Sequence, residues 1–233
     1  MSKSSTAKIT KSEIKNWSDI VELHSSNPDY NEYFSNTVKK LLLNKANAKR
    51  RSFVVTSPAS GEGKTTMAVN IAAVLASWGK NTILIDADFK SPDLEEFFNI
   101  SDSTGLLDVI SGTVALEDAV IQIIDYPSLH LLTRGSSGVG DLSLTSGSLD
   151  DTIKRLHEEY DYVIFDTAST GESMDPILLA GAVDAAIIVA LSDQTSKDSL
   201  SFAKRLINRN NGEIAGVILN KVQGYVPTDY RNT

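Results

Sequence analysis

Residues 52 to 66 read SFVVTSPASGEGKTT, and the rest of the chain is organised around this stretch. Phe53, Val54 and Val55 form a short apolar run typical of a buried strand, which ends at a Ser-Pro turn. A loop of small residues then leads through Gly63 into a strongly helical segment. A loop between a strand and a helix turns its backbone N–H groups inward, and the helix adds the positive end of its dipole. The stretch therefore predicts a phosphate-binding loop.

The side chains at the end of this loop suit a nucleoside triphosphate bound with Mg²⁺. Lys64 would place a positive charge on the β- and γ-phosphates, and the hydroxyl of Thr65 would be a magnesium ligand. The strict pattern G-x-x-x-x-G-K-[ST] requires glycine where this chain has Pro58, so an ordinary glycine-rich turn with a surface lysine is the alternative. The predicted nucleotide contacts are Ser60, Gly61, Glu62, Gly63, Lys64, Thr65 and Thr66.

Composition limits the classes of protein to consider. With 233 residues, of which 41% are hydrophobic and 22% charged, we expect one α/β domain of about 200 residues and an N-terminal extension. No apolar run approaches the roughly 18 residues of a membrane span, and the N-terminus lacks the apolar core of a signal peptide, so we expect a cytosolic protein. The absence of cysteine excludes disulfides and thiolate sites. A formal charge of −8 argues against broad nucleic-acid binding.

Positive charge is concentrated in one segment before the first strand. No acidic residue occurs between Tyr33 and Gly61. The basic residues there are Lys39, Lys40, Lys45, Lys49, Arg50 and Arg51. Such a basic edge would suit a partner protein or an anionic membrane surface, and a solvated helix face is the alternative.

We divide the chain into three segments. Residues 1–26 are polar and without sustained periodicity, which predicts a flexible arm. Residues 27–222 form the phosphate-loop domain, which opens with a helix start at Asn27-Pro28-Asp29 and an apolar face at Tyr30, Phe34, Val38 and Leu41. Residues 223–233 form a polar tail with two tyrosines, Tyr225 and Tyr230.

Two further strands are predicted to end in acidic residues. The apolar run from Thr82 to Ile85 leads to Asp86 and Asp88, and the run from Tyr162 to Phe165 leads to Asp166. Ligands of open α/β sheets bind beyond the carboxyl ends of the strands, so these carboxylates are placed to meet a phosphate-bound metal or an incoming hydroxyl. Asp166 fits the Walker B aspartate, which holds the magnesium shell. For Asp86 and Asp88 the alternative is a turn that caps the following segment.

The rest of the chain alternates between helical and strand patterns. Short helices are expected at Asp93 to Phe98, Gly105 to Ile110 and Leu116 to Ile124, followed by a strand at Leu129 to Leu132. At least six strands separated by helices predict an α/β fold, with a mostly parallel, doubly wound sheet flanked by helices as in P-loop NTPases.

These motifs resemble those of bacterial tyrosine kinases of the capsular and exopolysaccharide type, whose P-loop domain is related to the MinD/ParA ATPases. The resemblance rests on TSPASGEGKTT, on ILIDADFKSP as a second acidic motif, on YDYVIFDT as Walker B, and on the strand GVILN. It implies that Lys64 and Thr65 bind phosphates and magnesium, that Asp88 and Asp166 complete the metal site, and that Asp86 positions or deprotonates the attacking tyrosine. It also implies that Asn220 contacts the purine. A carboxylate with a pKa near 4 matches tyrosine poorly, so we expect Asp86 to orient the hydroxyl and take its proton late.

The resemblance also implies cofactors and partners. ATP and Mg²⁺ would be used, and Tyr225 and Tyr230 would be the phosphoacceptors of an autokinase. The partners implied are a transmembrane polysaccharide co-polymerase or adaptor that activates the kinase at the inner face of the membrane, protein tyrosine substrates, a cognate tyrosine phosphatase and a homo-oligomer; no nucleic acid is expected.

Four features depart from the family pattern. Lys90 stands for the arginine of D-x-D-x-R, which keeps the charge and loses a bidentate fork. Ala168-Ser169 replaces a Pro-Pro pair, the assembly motif reads Glu32, Ser35 and Val38, and the tail has only two tyrosines. The alternatives are therefore a MinD/ParA-like ATPase and a nucleotide-dependent scaffold. The ATPases carry a signature lysine where this chain has Ser57, which favours the kinase.

Overall fold

The computed structural model describes residues 7–9, 28–42, 50–91, 93–100, 104–124, 126–135 and 147–222. In chain order, their elements are β1 (Ala7–Ile9), α1 (Pro28–Leu42), β2 (Ser52–Thr56), α2 (Lys64–Ser77), β3 (Thr82–Ala87), α3 (Asp93–Phe98), α4 (Leu106–Ile110), α5 (Leu116–Ala119), β4 (Ile121–Ile123), β5 (Leu129–Leu132), α6 (Gly147–Glu159), β6 (Tyr162–Thr167), α7 (Asp175–Ala182), β7 (Ala185–Leu191), α8 (Lys197–Arg209) and β8 (Ile214–Asn220).

The strands of this part of the chain lie in one sheet, in the order β1-β4-β5-β3-β6-β2-β7-β8. Neighbouring strands run parallel, except that β4 and β5 are antiparallel. Every residue of β2, β3 and β6 is buried, as expected for central strands covered on both faces. The predicted mostly parallel sheet is confirmed.

Helices cover both faces of the sheet. Phe53 and Val55 of β2 pack with apolar residues of α1, α2 and α3, while Val54 between them packs with residues of α4 to α7 on the other face. The helix α8 joins this second layer through Ile207, which packs on β7. The doubly wound architecture is therefore confirmed.

The connections after β2 and β6 leave the sheet in opposite directions. These strands are parallel neighbours, with Val55 beside Asp166. The chain passes from β2 through α2 on one face towards β3, and from β6 through α7 on the other face towards β7. Such a switch point opens a crevice at the carboxyl ends of the two strands, which is where ligands of this architecture bind.

The predicted apolar face of the first helix is confirmed where it is described. Phe34, Val38 and Leu41 of α1 are buried, and they pack against the layer that contains α2. Val38 stands at the third position of the family's assembly motif, and it is only 1% exposed. It therefore belongs to the core, and its side chain is not available to a partner.

One prediction of secondary structure is wrong, and another differs from the structure at three residues. The helix expected from Leu116 to Ile124 ends at Ala119, and Ile121–Ile123 forms β4. Ile121 and Ile123 are buried while Gln122 between them is half-buried, which is the alternation of a strand. Over only three residues this alternation cannot be told from a helical pattern. The arm predicted over residues 1–26 is described only at Ala7–Ile9, and these residues form β1, paired in parallel with β4. A three-residue edge strand leaves too short a pattern to detect.

Candidate active site

The loop between β2 and α2 has the backbone conformation of a phosphate site. Gly61 and Gly63 have φ values of 75° and 95°, in the left-handed region that glycine adopts at little cost. Gly63 is the N-cap of α2, so the unpaired N–H groups and the positive dipole end of the helix open at Lys64. A Cβ atom at Gly63 would lie 2.3 Å from Nδ2 of Asn220. Glycine is thus required there for space as well as for conformation.

Proline is compatible with the loop at position 58. The left-handed residues of the loop are Gly61 and Gly63, so Pro58 needs no conformation that its ring forbids. Its carbonyl faces Gly171, where an added Cβ would lie 2.7 Å from the oxygen. The backbone N–H of Thr170 also donates to the carbonyl of Ser57 at 2.8 Å. The segment after β6 therefore holds the start of the loop, with Pro58 in a backbone conformation that proline adopts.

Asp86 and Asp166 lie side by side at the carboxyl ends of adjacent strands. They are register partners between β3 and β6, and their exposed fractions are 0% and 1%. One carboxylate oxygen of Asp86 accepts a hydrogen bond from the backbone N–H of Asp88 at 3.0 Å. Oδ2 of Asp86 and Oδ1 of Asp166 are buried and have no hydrogen-bond partner within the described chain. Unpaired buried oxygens in a polar site are unusual, and they leave room for a ligand.

Burial raises the pKa of both carboxyls, and neighbouring carboxylates add to the shift. Desolvation is the main cause for Asp86, followed by the charge of Asp166, and together they raise its pKa to about 8. Desolvation also raises the pKa of Asp166, to about 7, although a hydrogen bond from Thr65 and the charge of Lys64 act against the shift. The pKa near 4 that we expected for Asp86 is therefore wrong for the metal-free protein, because the sequence does not reveal how deeply the strand end is buried.

These residues fit a magnesium ion. Thr65 and Asp166 are joined by a hydrogen bond, and the free oxygen of Asp166 adds a second candidate ligand beside the hydroxyl. Within the described ranges, no group of three or more histidine, cysteine or acidic side chains is arranged to hold a metal. Mg²⁺ in nucleotide sites is usually held by one or two protein oxygens together with phosphates and water, and this donor set is of that kind.

Asp88 combines the two roles that the sequence left open. Its Oδ1 accepts hydrogen bonds from the backbone N–H groups of Lys90 at 3.1 Å and Ser91 at 2.9 Å, which is the capping turn. Asp88 also lines the pocket in front of the phosphate loop. The turn therefore holds the carboxylate at the rim of the site.

A pocket of about 500 Å³ opens in front of the loop. It is lined by Ser60, Gly61, Gly63, Lys64, Thr65, Thr66, Asp88, Lys90, Ser91, Asp93, Glu172, Asn220 and Lys221. Most of the predicted nucleotide contacts are among these residues. Asp86 and Asp166 are not, because they lie buried behind the lining.

The side chain of Glu62 faces away from the pocket, so its predicted nucleotide contact would come from the backbone. Its carboxylate accepts a hydrogen bond from the backbone N–H of Ala59 at 3.0 Å and another from the hydroxyl of Thr195. The side chain is buried and does not line the pocket, because it points into the protein towards the turn after β7. Thr195 carries no local motif, and its partner lies 133 residues earlier, so no sequence signal identified it.

Asn220 lies against the phosphate loop. Its Nδ2 donates to the carbonyl of Glu62 at 3.0 Å, and its Oδ1 accepts from the backbone N–H of Lys221 at 2.9 Å. It also lines the pocket, so a purine contact remains a prediction. The structure thus gives Asn220 a second task, which is to support the loop.

Lys90 connects the second acidic motif to the segment after β6. Its ammonium group donates to the backbone carbonyl of Glu172, and the hydroxyl of Ser169 donates to the Glu172 carboxylate at 2.6 Å. Glu172 and Lys90 both line the pocket. Two departures from the family pattern, at Lys90 and at Ala168-Ser169, therefore lie in one hydrogen-bonded rim around Glu172. From the sequence alone they are separate features.

The basic segment is partly structural. Arg51 donates to the backbone carbonyls of His157, Tyr160 and Asp161. Arg50 pairs with Glu213 at 3.4 Å. The prediction of a free basic edge is therefore wrong for these two arginines, since their guanidinium groups bind other parts of the domain. Lys39 and Lys40 are exposed on α1, and Lys45 and Lys49 lie outside the described residues.

The predicted phosphoacceptor tyrosines lie outside the described residues. Tyr225 and Tyr230 lie beyond residue 222, outside the described ranges. Within those ranges, none of the helices has the length and hydropathy needed to cross a bilayer.

Comparison with known proteins identifies a nucleotide-binding family, two similar tyrosine kinases and a solved structure of the same fold. Residues 53–228 match the model of the CobQ/CobB/MinD/ParA nucleotide-binding domain. The tyrosine-protein kinase CpsD of Streptococcus pneumoniae is 32% identical over 176 residues, which cover 75% of this chain and 77% of the relative. The tyrosine-protein kinase YwqD of Bacillus subtilis is 32% identical over 171 residues, or 73% and 72% of the two chains. Among solved structures, the chimerical protein CapA2B2 superposes with a TM-score of 0.79 at 25% identity, over 94% of each chain.

Proposed function

The chain belongs to the bacterial tyrosine kinases within the CobQ/CobB/MinD/ParA nucleotide-binding family, and from this we propose that it transfers the γ-phosphoryl group of ATP to protein tyrosine. The observation that carries the proposal is the pair of acidic strand ends beside the phosphate loop. Asp86 and Asp166 lie in register, and Asp88 follows at the pocket rim. A tyrosine hydroxyl that enters the pocket would thus meet Asp88 first and reach Asp86 behind the lining.

The residues of the loop bind the triphosphate. Lys64 and the N–H groups at the start of α2 would contact the β- and γ-phosphates, and Thr65 with Asp166 and Asp88 would hold Mg²⁺. Bound Mg²⁺ would neutralise charge that develops on the transferred group. Because phosphoryl transfer depends mainly on positioning and charge neutralisation, this arrangement supplies most of what the reaction needs.

Asp86 receives the proton of the attacking tyrosine. Its pKa of about 8 is closer to that of a tyrosine, near 10, than an ordinary carboxyl would be, although a neighbouring cation would lower it again. Asp86→Asn should abolish phosphotyrosine and leave ATP binding largely intact. Retained tyrosine phosphorylation in this variant would contradict the role.

The acceptors and partners are also part of the proposal. Tyr225 and Tyr230 are the autophosphorylation sites, and other protein tyrosines are substrates of the same reaction. A transmembrane polysaccharide adaptor activates the kinase and holds it at the inner face of the membrane, and a tyrosine phosphatase reverses the mark. The output is regulation of capsule or exopolysaccharide synthesis.

The test is phosphate mapping by mass spectrometry. The purified protein is incubated with ATP and Mg²⁺, with and without the cytoplasmic tail of the adaptor, beside a Lys64→Ala control. We expect phosphate on Tyr225 or Tyr230 in the wild type and at least a hundredfold less in the control, as loss of a transition-state charge contact predicts. If no phosphotyrosine forms while ATP still binds, release of inorganic phosphate would identify a MinD/ParA-like ATPase, and its absence would identify a nucleotide-dependent scaffold.

A further inference from the structure

The buried carboxylate of Glu62 ties the phosphate loop to a distant turn. Glu62 is 4% exposed, although it lies inside a loop at the edge of a pocket. One carboxylate oxygen accepts from the N–H of Ala59 within the loop, at 3.0 Å, and the other accepts from the hydroxyl of Thr195 in the turn between β7 and α8. The side chain thus joins the start of the loop to an element that does not belong to the nucleotide site.

Thr195 is oriented to act as the donor in this contact. The backbone N–H of Leu191, the last residue of β7, donates to Oγ1 of Thr195 at 2.7 Å. Since that bond uses a lone pair of the hydroxyl, the hydroxyl proton is directed at the Glu62 carboxylate. The chain of bonds therefore runs from the end of a central strand, through Thr195 and Glu62, to the backbone at Ala59.

The carboxylate of Glu62 depends on its two hydrogen bonds, from Ala59 and Thr195, because no positive charge in the described part of the chain compensates it. No lysine, arginine or histidine within the described ranges forms an ion pair with Glu62, so neutral donors satisfy the carboxylate. A buried carboxylate that loses a donor keeps its desolvation cost and has nothing to replace the bond. The loop would then relax towards conformations that let the carboxylate reach water, and its N–H groups would diverge.

We propose that Glu62 and Thr195 are positioning residues that set the phosphate loop for nucleotide binding without touching the nucleotide. Asn220 assists from the other side through its bond to the carbonyl of Glu62. The inference rests on the proposed function only in that the loop binds a nucleotide phosphate. It is therefore tested by ADP binding, which does not depend on whether the protein phosphorylates tyrosine.

The experiment compares three variants of the β7–α8 turn. The dissociation constant of a fluorescent N-methylanthraniloyl-ADP with Mg²⁺ is measured at a temperature where circular dichroism shows each protein to be folded. Thr195→Val removes the hydroxyl at constant shape and should weaken binding about tenfold, whereas Thr195→Ser keeps the hydroxyl and should stay within about twofold of the wild type. Ser192→Ala is the matched control, because the Ser192 hydroxyl contacts Asp193 and not the loop.

A double-variant comparison separates positioning from general stability. Glu62→Ala should weaken ADP binding by about the same factor as Thr195→Val, and the combined variant should be no weaker than Glu62→Ala, because the two changes remove the same contact. If Glu62 and Thr195 acted independently, the loss of ADP affinity in the combined variant would be the product of the two single losses. Glu62→Gln retains one acceptor and should lie between the wild type and Glu62→Ala.

Three results would overturn the proposal. The first is a folded Thr195→Val protein that binds ADP as the wild type does. The second is equal loss in Thr195→Val and Thr195→Ser, which would exclude the hydroxyl as the active group. The third is a combined variant whose loss is the product of the two single losses. If Glu62→Ala does not fold, the comparison of Val and Ser at the half-buried position 195 still decides the question.

Discussion

Asp86 and Asp166 are two buried carboxylates whose pKa values are raised mainly by desolvation, and the charge of Asp166 raises the pKa of Asp86 further. The strand register fixes them as neighbours, so neither can move away without breaking β3 or β6. The metal-free protein therefore holds protons there that an unfolded chain would release at neutral pH. A cation bound beside these carboxylates, as in the proposed Mg²⁺ site, would lower the cost of their ionisation.

We predict that Asp86→Asn stabilises the metal-free protein at alkaline pH. The pKa of Asp86 rises from 3.8 to about 8 on folding, so the native state binds more protons than the unfolded state between these values. Stability from this group is therefore present at low pH and lost as pH rises towards 8. The neutral variant should gain several kcal/mol at pH 8, because each unit of a pKa shift corresponds to about 1.4 kcal/mol. Its melting temperature should rise by about 2 to 4 °C for each kcal/mol gained.

Thermal unfolding without Mg²⁺ at pH 5 and pH 8 provides the measurement. Asp151→Asn is the control, since Asp151 is exposed on α6 and pairs only with Lys154 at the surface. An Asp86→Asn protein that melts at the wild-type temperature at pH 8 would show that the carboxylate is not under repulsion in the folded state.

The sequence predicted those site residues whose side-chain chemistry is distinctive and which adjoin a clear strand or helix. Lys64, Thr65, Asp86 and Asp166 each stand next to a strong strand or helix pattern, and the fold brings their strand ends to one crevice. The contact of Glu62 with Thr195 could not be predicted in this way. A glutamate in a loop suggests exposure, and its burial depends on a turn that follows a different strand.

At the scale of elements, a single carboxylate organises the start of the central strand. Oδ2 of Asp184 accepts from the backbone N–H groups of Arg51 at 2.7 Å and Ser52 at 2.9 Å, just where β2 begins. The hydroxyl of Ser52 donates to the same oxygen and accepts from the N–H of Asp184 at 3.0 Å. Asp184 immediately precedes β7, so it fixes the relative position of two paired strands.

We predict that Asp184→Ala destabilises the fold without weakening nucleotide binding. The variant removes the acceptor of the Arg51 and Ser52 N–H groups at the start of β2, which should cost about 1 to 3 kcal/mol. Asp184 lies at the amino ends of β2 and β7, at the opposite edge of the sheet from the phosphate loop. Denaturant unfolding and ADP titration of the same protein measure both quantities. A large loss of ADP affinity in the folded variant would mean that the two sheet edges are coupled.

Elements of four or more residues with a clear apolar pattern were predictable, and the three-residue strands β1 and β4 were not. The bounds of α3 and of β5 match the predicted ones, and β2, β3 and β6 follow from their uninterrupted apolar runs. β4 is set by its partners instead: it pairs with β5 on one side and β1 on the other, and three residues do not specify that from sequence. The strength of tertiary pairing overrides local propensity in such a short segment.

At the scale of the whole molecule, the site lies near the middle of the sheet and β1 lies at its edge. Four strands, β4, β5, β3 and β6, separate β1 from β2 and the phosphate loop. Changes at that edge should therefore act on stability and leave the site intact.

We predict that deletion of residues 1–10 lowers the melting temperature by a few degrees and leaves the dissociation constant for ADP unchanged. The deletion removes three register pairs between β1 and β4 and exposes the edge of β4. Differential scanning calorimetry and ADP titration measure the two effects. Loss of ADP binding in a folded truncated protein would show that the N-terminal segment reaches the site.

The position of β1 also has a consequence for biosynthesis. Among the described strands β1 leaves the ribosome first, yet its register partner for Ala7 is Ile121. At bacterial rates of translation the intervening chain takes about 6 to 23 s to emerge. During that interval the strand has no partner of its own chain, so a nascent polypeptide that stalls before β4 would present it to chaperones or to a neighbouring copy.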